Sequence, residues 1–216
     1  MVVVHAKTKD QVLQNIAIAE EAGADGVFLI NHNFGSGLLI SYYKMAKMQF
    51  PNFWIGLNCL DLGRSAIHYI PSGTAGLWVD NVGIEEHDEK PTAAAAKLLA
   101  DRQKLGWQGL YFGSVAFKYQ KKVDDVAKVA KLAVPFMDVI TTSGAGTGIA
   151  ADVDKIRTMK EAIGDHPLAI ASGITPENVE SYLPYSDCFL VATGISDSHT
   201  ELNPGRVRRL AQILNK

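Results

Sequence analysis

Eight short, uninterrupted apolar runs alternate with helix-patterned segments along the whole chain, and this alternation restricts the possible folds more than any other feature. The runs are Val2–Ala6, Gly26–Asn31, Phe53–Cys59, Gly76–Asp80, Gly109–Gly113, Asp138–Thr142, Leu168–Ser172 and Cys188–Thr193. Each is rich in Val, Ile, Leu or Phe and continuous rather than alternating. Strands read that way when both of their faces are buried, as in a parallel sheet covered by helices. Between them, Lys9–Ala22, Leu38–Gln49, Ala93–Leu105, Asp124–Ala133, Asp152–Ile163 and Asn203–Leu214 carry apolar residues at helical spacing. Gly23, Gly106 and Gly164 stand where three of these helices should stop, since glycine tolerates the left-handed turn of a helix end. Pro176–Leu183 is expected to be helical as well, capped by Thr175 with proline in its first position. The weakest connection is Gly63–Tyr69, followed by Pro71, Ser72 and Gly73.

A strand–helix–strand order throughout demands a parallel sheet with right-handed crossovers. With 216 residues, each unit has about 27, which matches the short end of a (β/α)₈ TIM barrel. The competitor, an open doubly wound sheet, normally stops at five or six strands. No Gly/Ser linker or low-complexity stretch divides the chain, so residues 1–216 are read as a single α/β domain. The 47% apolar content excludes disorder, and no run approaches a membrane span or a signal-peptide core. A net charge of −2 gives no reason to expect a nucleic acid or an anionic membrane as partner. Cys59 and Cys188 form no disulfide framework, which fits a reducing, cytoplasmic setting.

In such a barrel, chemistry gathers at the carboxyl ends of the strands. Polar residues stand at that end of nearly every run: His5, Asn31-His32, Asn58, Asp80-Asn81, Lys118, Thr142, Ser172 and Thr193. His5, His32 and Asp80 are the candidate acid–base groups, because histidine titrates near neutrality and an aspartate can orient it or act as base. Lys118 is a candidate for neutralising a phosphate or, if desolvated, for forming a Schiff base. Asn31, Asn58, Asn81 and Thr142 are candidates for holding substrate hydroxyls or an enolate oxygen. Glycine-rich turns follow the last three strands, offering Gly144, Gly146, Gly148, Ser172, Gly173, Gly194 and Ser196. Their backbone amides are expected to hold phosphate. No metal-ligand spacing links His5, His32 and Asp80, so no metal is expected from motif. An oxygen-ligated Mg²⁺ shared with substrate would leave no motif. Glu85–Glu89 reads as a solvated loop over the mouth, and Cys59 as a small buried thiol.

Several of these stretches carry a likeness. Thr142-Ser143-Gly144-x-x-Thr147-Gly148, Ala171-Ser172-Gly173-Ile174-Thr175-Pro176-Glu177-Asn178-Val179 and Ala192-Thr193-Gly194 resemble the BtpA/SgcQ family of barrel proteins. Phe28–His32 and Gly76–Asn81 resemble the first half of a related branch, and the Ser-Gly-Ile-x-Pro-Glu-Asn motif is similar to the phosphate-grip region of phosphate-binding barrels. The resemblance implies a (β/α)₈ barrel but no reaction, and a role in photosystem biogenesis for one branch. The chain begins almost inside strand one, without the longer N-terminal segment of typical members. The expected function is therefore a small-molecule enzyme acting on a phosphorylated sugar- or nucleotide-derived substrate by isomerase or lyase chemistry. The alternatives are a non-catalytic assembly protein that keeps the anion site and a phosphoribosyl-transfer enzyme requiring Mg²⁺. Self-association is a further expectation, because barrels commonly associate.

Overall fold

The computed structural model describes residues 1–215 and joins the apolar runs into one eight-stranded parallel sheet in chain order. The strands are β1 (Val2–His5), β2 (Gly26–Ile30), β3 (Trp54–Asn58), β4 (Gly76–Val79), β5 (Leu110–Ser114), β6 (Val139–Ser143), β7 (Leu168–Ala171) and β8 (Cys188–Leu190). Val3 donates its backbone N–H to Val191 at 2.8 Å, and Val191 donates to Met1 at 3.1 Å. These bonds bring β8 back to β1 and close the barrel, as the eight-unit count requires.

Among the described residues six α-helices clothe the sheet: α1 (Lys9–Glu21), α2 (Ser36–Gln49), α3 (Ala93–Leu105), α4 (Val126–Ala133), α5 (Val153–Ile163) and α6 (Pro204–Leu214). Thr8, Asp125, Asp152 and Asn203 cap α1, α4, α5 and α6 by accepting a backbone N–H in the first turn. Two connections differ from the helical pattern. Gly63–His68 and Val179–Tyr185 are 3₁₀ turns. The second replaces the expected helix from Pro176. Asn178 accepts the Thr175 N–H at 2.8 Å and donates to the Gly173 carbonyl at 2.7 Å, tying Gly173–Asn178 into a turn. Pro184 then removes a donor that a regular helix would need. No α-helix N-terminus opens behind Gly173.

The continuous strands are explained by two cores on opposite faces of one sheet. Val2, Val4, Leu29, Leu57, Leu77, Ile140 and Ile170 pack outward beneath the helices. Val3, Phe28, Trp78, Phe112, Val139, Ala169 and Leu190 point inward and fill the lumen. Phe28 meets Trp54, Trp78 and Phe112 edge to face, with centroids 5.0–5.8 Å apart. Each such pair adds about 0.5–1.5 kcal/mol beyond burial. The rings fit because Gly56 and Gly76 have no side chain. A Cβ on Gly56 would lie 2.5 Å from the Phe28 ring, and one on Gly76 would run into Trp54.

Candidate functional site

Side chains alternate along a strand, so the residues that follow the lumen-filling ones emerge at the carboxyl end. Val3 is followed by His5, Trp78 by Asp80, and Gly56 by Asn58. There the aromatic filling stops. A cavity of about 310 Å³ opens above Ile30, Trp78, Ala171 and Leu190, rimmed by His5, His32, Asp80, Lys118, Ser172, Thr193 and His199.

One wall is made of imidazoles. His5 Nδ1 and His32 Nε2 lie 2.7 Å apart, a separation that requires one ring to donate its proton to the other. Their planes are parallel within 3°, and His199 meets His5 edge-on at 4.2 Å between centroids. One nitrogen from each of the three rings falls within 4.8 Å of the others. Burial, followed by repulsion from His199, His32 and Lys118, pushes His5 down to about 3. His32 is lowered by burial and by His199 and Lys118. Both shifts favour the neutral imidazole at His5 and His32.

The facing wall is charged. Asn58 Nδ2 donates to Asp80 Oδ1 at 2.8 Å, and Lys118 Nζ donates to Ser172 Oγ at 2.8 Å. Burial raises the Asp80 carboxyl above its ordinary value, partly opposed by Asn58 and Lys118. Burial lowers Lys118, and Asp80 works against that shift. The backbone here is held under strain. Ala116, Tyr119 and Ser172 have φ of 47°, 63° and 73°. A left-handed residue other than glycine costs about 1–3 kcal/mol, and such costs persist where surrounding contacts enforce them. The enforcing contacts are visible: Lys118 N–H donates to Ser143 Oγ at 2.8 Å, and Lys155 Nζ donates to the Ala116 and Ser143 carbonyls, each at 2.6 Å. Lys155 is lowered to about 8 by burial.

The fold thus brings His5, His32, Asp80, Lys118 and Ser172 to one cavity, with Asn58 directly behind Asp80. Other sequence candidates lie elsewhere. Asn31 is buried and satisfied, donating to the Phe34 carbonyl and Asp61 and accepting from the Leu60 N–H. Asn81 accepts the Gly83 N–H in an exposed turn, and Thr142 donates to the Ala116 carbonyl. Ser196 Oγ donates to the Ala192 carbonyl at 2.8 Å. The glycines let loops stack backbone to backbone. A Cβ on Gly144 or Gly173 would strike the chain at Ile149–Ala150, and one on Gly194 would strike the Ile174 carbonyl. Gly146 rests near the Ile149 side chain, and Gly148 turns with a φ of 75°.

His199 was not legible locally, because it lies in an exposed loop beyond β8. Its signal is on another element. Gln11 and Asn15 are polar residues on the buried face of α1, and both donate to the Thr200 carbonyl at 2.7 Å. Gln11 also reaches the His5 carbonyl at 3.3 Å. Among the described residues no helix is long and apolar enough to cross a membrane.

The fold has many structural counterparts. Phosphoribosyl anthranilate isomerase from Thermus thermophilus superposes with a TM-score of 0.69 at 14% identity, covering 99% of this chain and 96% of that one. Geranylgeranylglyceryl phosphate synthase from Thermoplasma acidophilum, in complex with sn-glycerol-1-phosphate, gives 0.68 at 14% identity, covering 98% and 91%. At that identity the likeness speaks for the barrel alone. In sequence, an uncharacterized protein of Methanocaldococcus jannaschii is 25% identical over 91% of this chain and 82% of its own length. One from Pyrococcus horikoshii is 28% identical over 35% of this chain, and that match spans only 29% of the relative. The family model for BtpA matches residues 83–216, from the loop after β4 onward. The glycine loops after β6, β7 and β8 all lie inside that match, and this chain belongs to the BtpA family.

Proposed function

We propose that the barrel is an enzyme acting on a phosphorylated sugar- or nucleotide-derived small molecule through proton transfer beside a carbonyl, the chemistry of isomerases and lyases. The observation that carries this reading is the pairing of two unlike walls around one partly enclosed cavity. An ammonium and hydroxyls from Lys118, Ser172 and Thr193 suit a phosphoryl group on one side. A half-buried carboxylate at Asp80, raised above its ordinary value by desolvation, suits a general base. Asn58 occupies only one carboxylate oxygen, leaving the other for the substrate. The His5–His32 pair, whose rings share one proton, can pass a proton to a developing enolate oxygen. The named activities of the structural neighbours, an isomerase and a synthase with a bound glycerol phosphate, agree with this class.

The test is a thermal-shift screen of chelator-treated protein against inorganic phosphate, sugar phosphates and nucleotides. A selective rise that disappears in Lys118→Ala is expected. Equal shifts in wild type and Lys118→Ala, or none with any phosphorylated compound, would overturn the proposal. Substituting Gly173 or Gly194 is uninformative, since any Cβ there collides with backbone.

A further inference from the structure

The structure assigns a second role to the imidazole wall: we propose that His5, His32 and His199 form a binding site for a divalent transition metal. Three rings from three separate elements, the end of β1, the segment after β2 and the loop after β8, converge so that one nitrogen of each lies within 4.8 Å of the others. Around a tetrahedral ion with bonds of roughly 2.0–2.1 Å, ligand nitrogens stand about 3.3 Å apart. The His5–His32 separation of 2.7 Å is shorter than that, and small ring rotations would open it as a metal replaces the shared proton. The donor set is wholly imidazole, which suits zinc, cobalt or nickel and disfavours magnesium and calcium.

The convergence is built by the fold. Gln11 bonds the His5 carbonyl and the Thr200 carbonyl together, and Asn15 holds the same Thr200 oxygen while accepting the Leu202 N–H. Two buried amides therefore fix the backbone on either side of the rings contributed by β1 and the β8 loop. Three protein ligands leave a coordination position open toward the cavity, as in catalytic zinc sites. Resting on the function proposed above, a bound metal would take over from the shared His5–His32 proton as the group that meets the substrate oxygen, and with Lys118 it would place two positive groups against the single carboxylate of Asp80. That balance calls for an anionic ligand, whose oxygen the metal would bind and polarise.

The test uses untagged, full-length protein and no phosphorylated compound, so its outcome is independent of the preceding screen. After chelation and dialysis, Co²⁺ titration should reach one equivalent per chain with visible absorption bands of nitrogen-ligated cobalt. His199→Ala, an exposed loop change that leaves the barrel core untouched, should abolish the bands. Asn15→Ala should weaken binding roughly 10–100-fold as a loss of support for the ligands. His87→Ala, at the exposed Glu86–His87–Asp124 cluster, should leave the titration unchanged. Unsaturable Co²⁺ binding, retention of the bands in His199→Ala, or their loss only in His87→Ala would overturn the assignment.

Discussion

The lower and upper halves of the lumen are built from the same eight strands and are filled in opposite ways. Below, Phe28, Trp54, Trp78 and Phe112 lock edge to face in space cleared by Gly56 and Gly76. Above, two or so residues further along the strands, the filling gives way to a cavity lined by histidines, a carboxylate and an ammonium. The first half gains stability from burial. The second carries partly desolvated ionisable groups and left-handed non-glycine residues, which cost stability. The barrel separates the two duties by height along its axis, with the aromatic plug supporting the strained mouth.

The sharpest break in that division is expected from Asp80→Asn. Once a substrate is in hand, turnover should fall by about 10²–10⁴-fold, the usual contribution of a general base. Steady-state kinetics beside a melting curve would check it. A large loss of thermal stability with little loss of turnover would place Asp80 in the supporting half instead. Next in size, Phe28→Ala should cost about 3–5 kcal/mol in urea unfolding, because Gly56 offers nothing to close the void. A cost below about 1 kcal/mol would mean that the plug is not close-packed.

Lys155 probes the cost of the mouth directly. Its ammonium is lowered from 10.5 to about 8 by burial, so below pH 8 both folded and unfolded chains carry the proton. Between about 8 and 10.5 the unfolded chain binds more protons than the folded one, and the folded state gains stability as pH rises. The gain is at most about 3 kcal/mol, less whatever solvent screening removes. Lys155→Met should flatten this rise relative to wild type in unfolding experiments across that window. Identical pH curves for the two proteins would show that the ammonium is solvated. The smallest effect is expected from Asn58→Ala. Losing its hydrogen bond raises Asp80 further, so the acid limb of the kcat/KM profile should move to higher pH while the basic limb stays. An unmoved acid limb would separate Asp80 from the proton transfer.

The chain's local pattern determined the eight strands, their order and their closure. Double-sided burial leaves a mark in each short run, and eight such units have few other ways to shield every face. It also placed His5, His32, Asp80, Asn58 and Lys118 at the mouth, because each stands at or just beyond the carboxyl end of a strand and all eight strands run in parallel. What it could not determine was which polar groups remain available there. Asn31, Asn81, Thr142 and Ser196 are spent on nearby turns, loops and carbonyls. The glycines after β6, β7 and β8 serve in part to let loops pack on loops, a contact that a count of glycines does not reveal. His199 joins residues nearly two hundred positions away only because Gln11 and Asn15 hold its loop against α1. Such pairings depend on closure of the barrel, which sets β8 beside β1. Periodicity records the burial of each segment, whereas the partner of a buried amide is chosen only when distant segments meet.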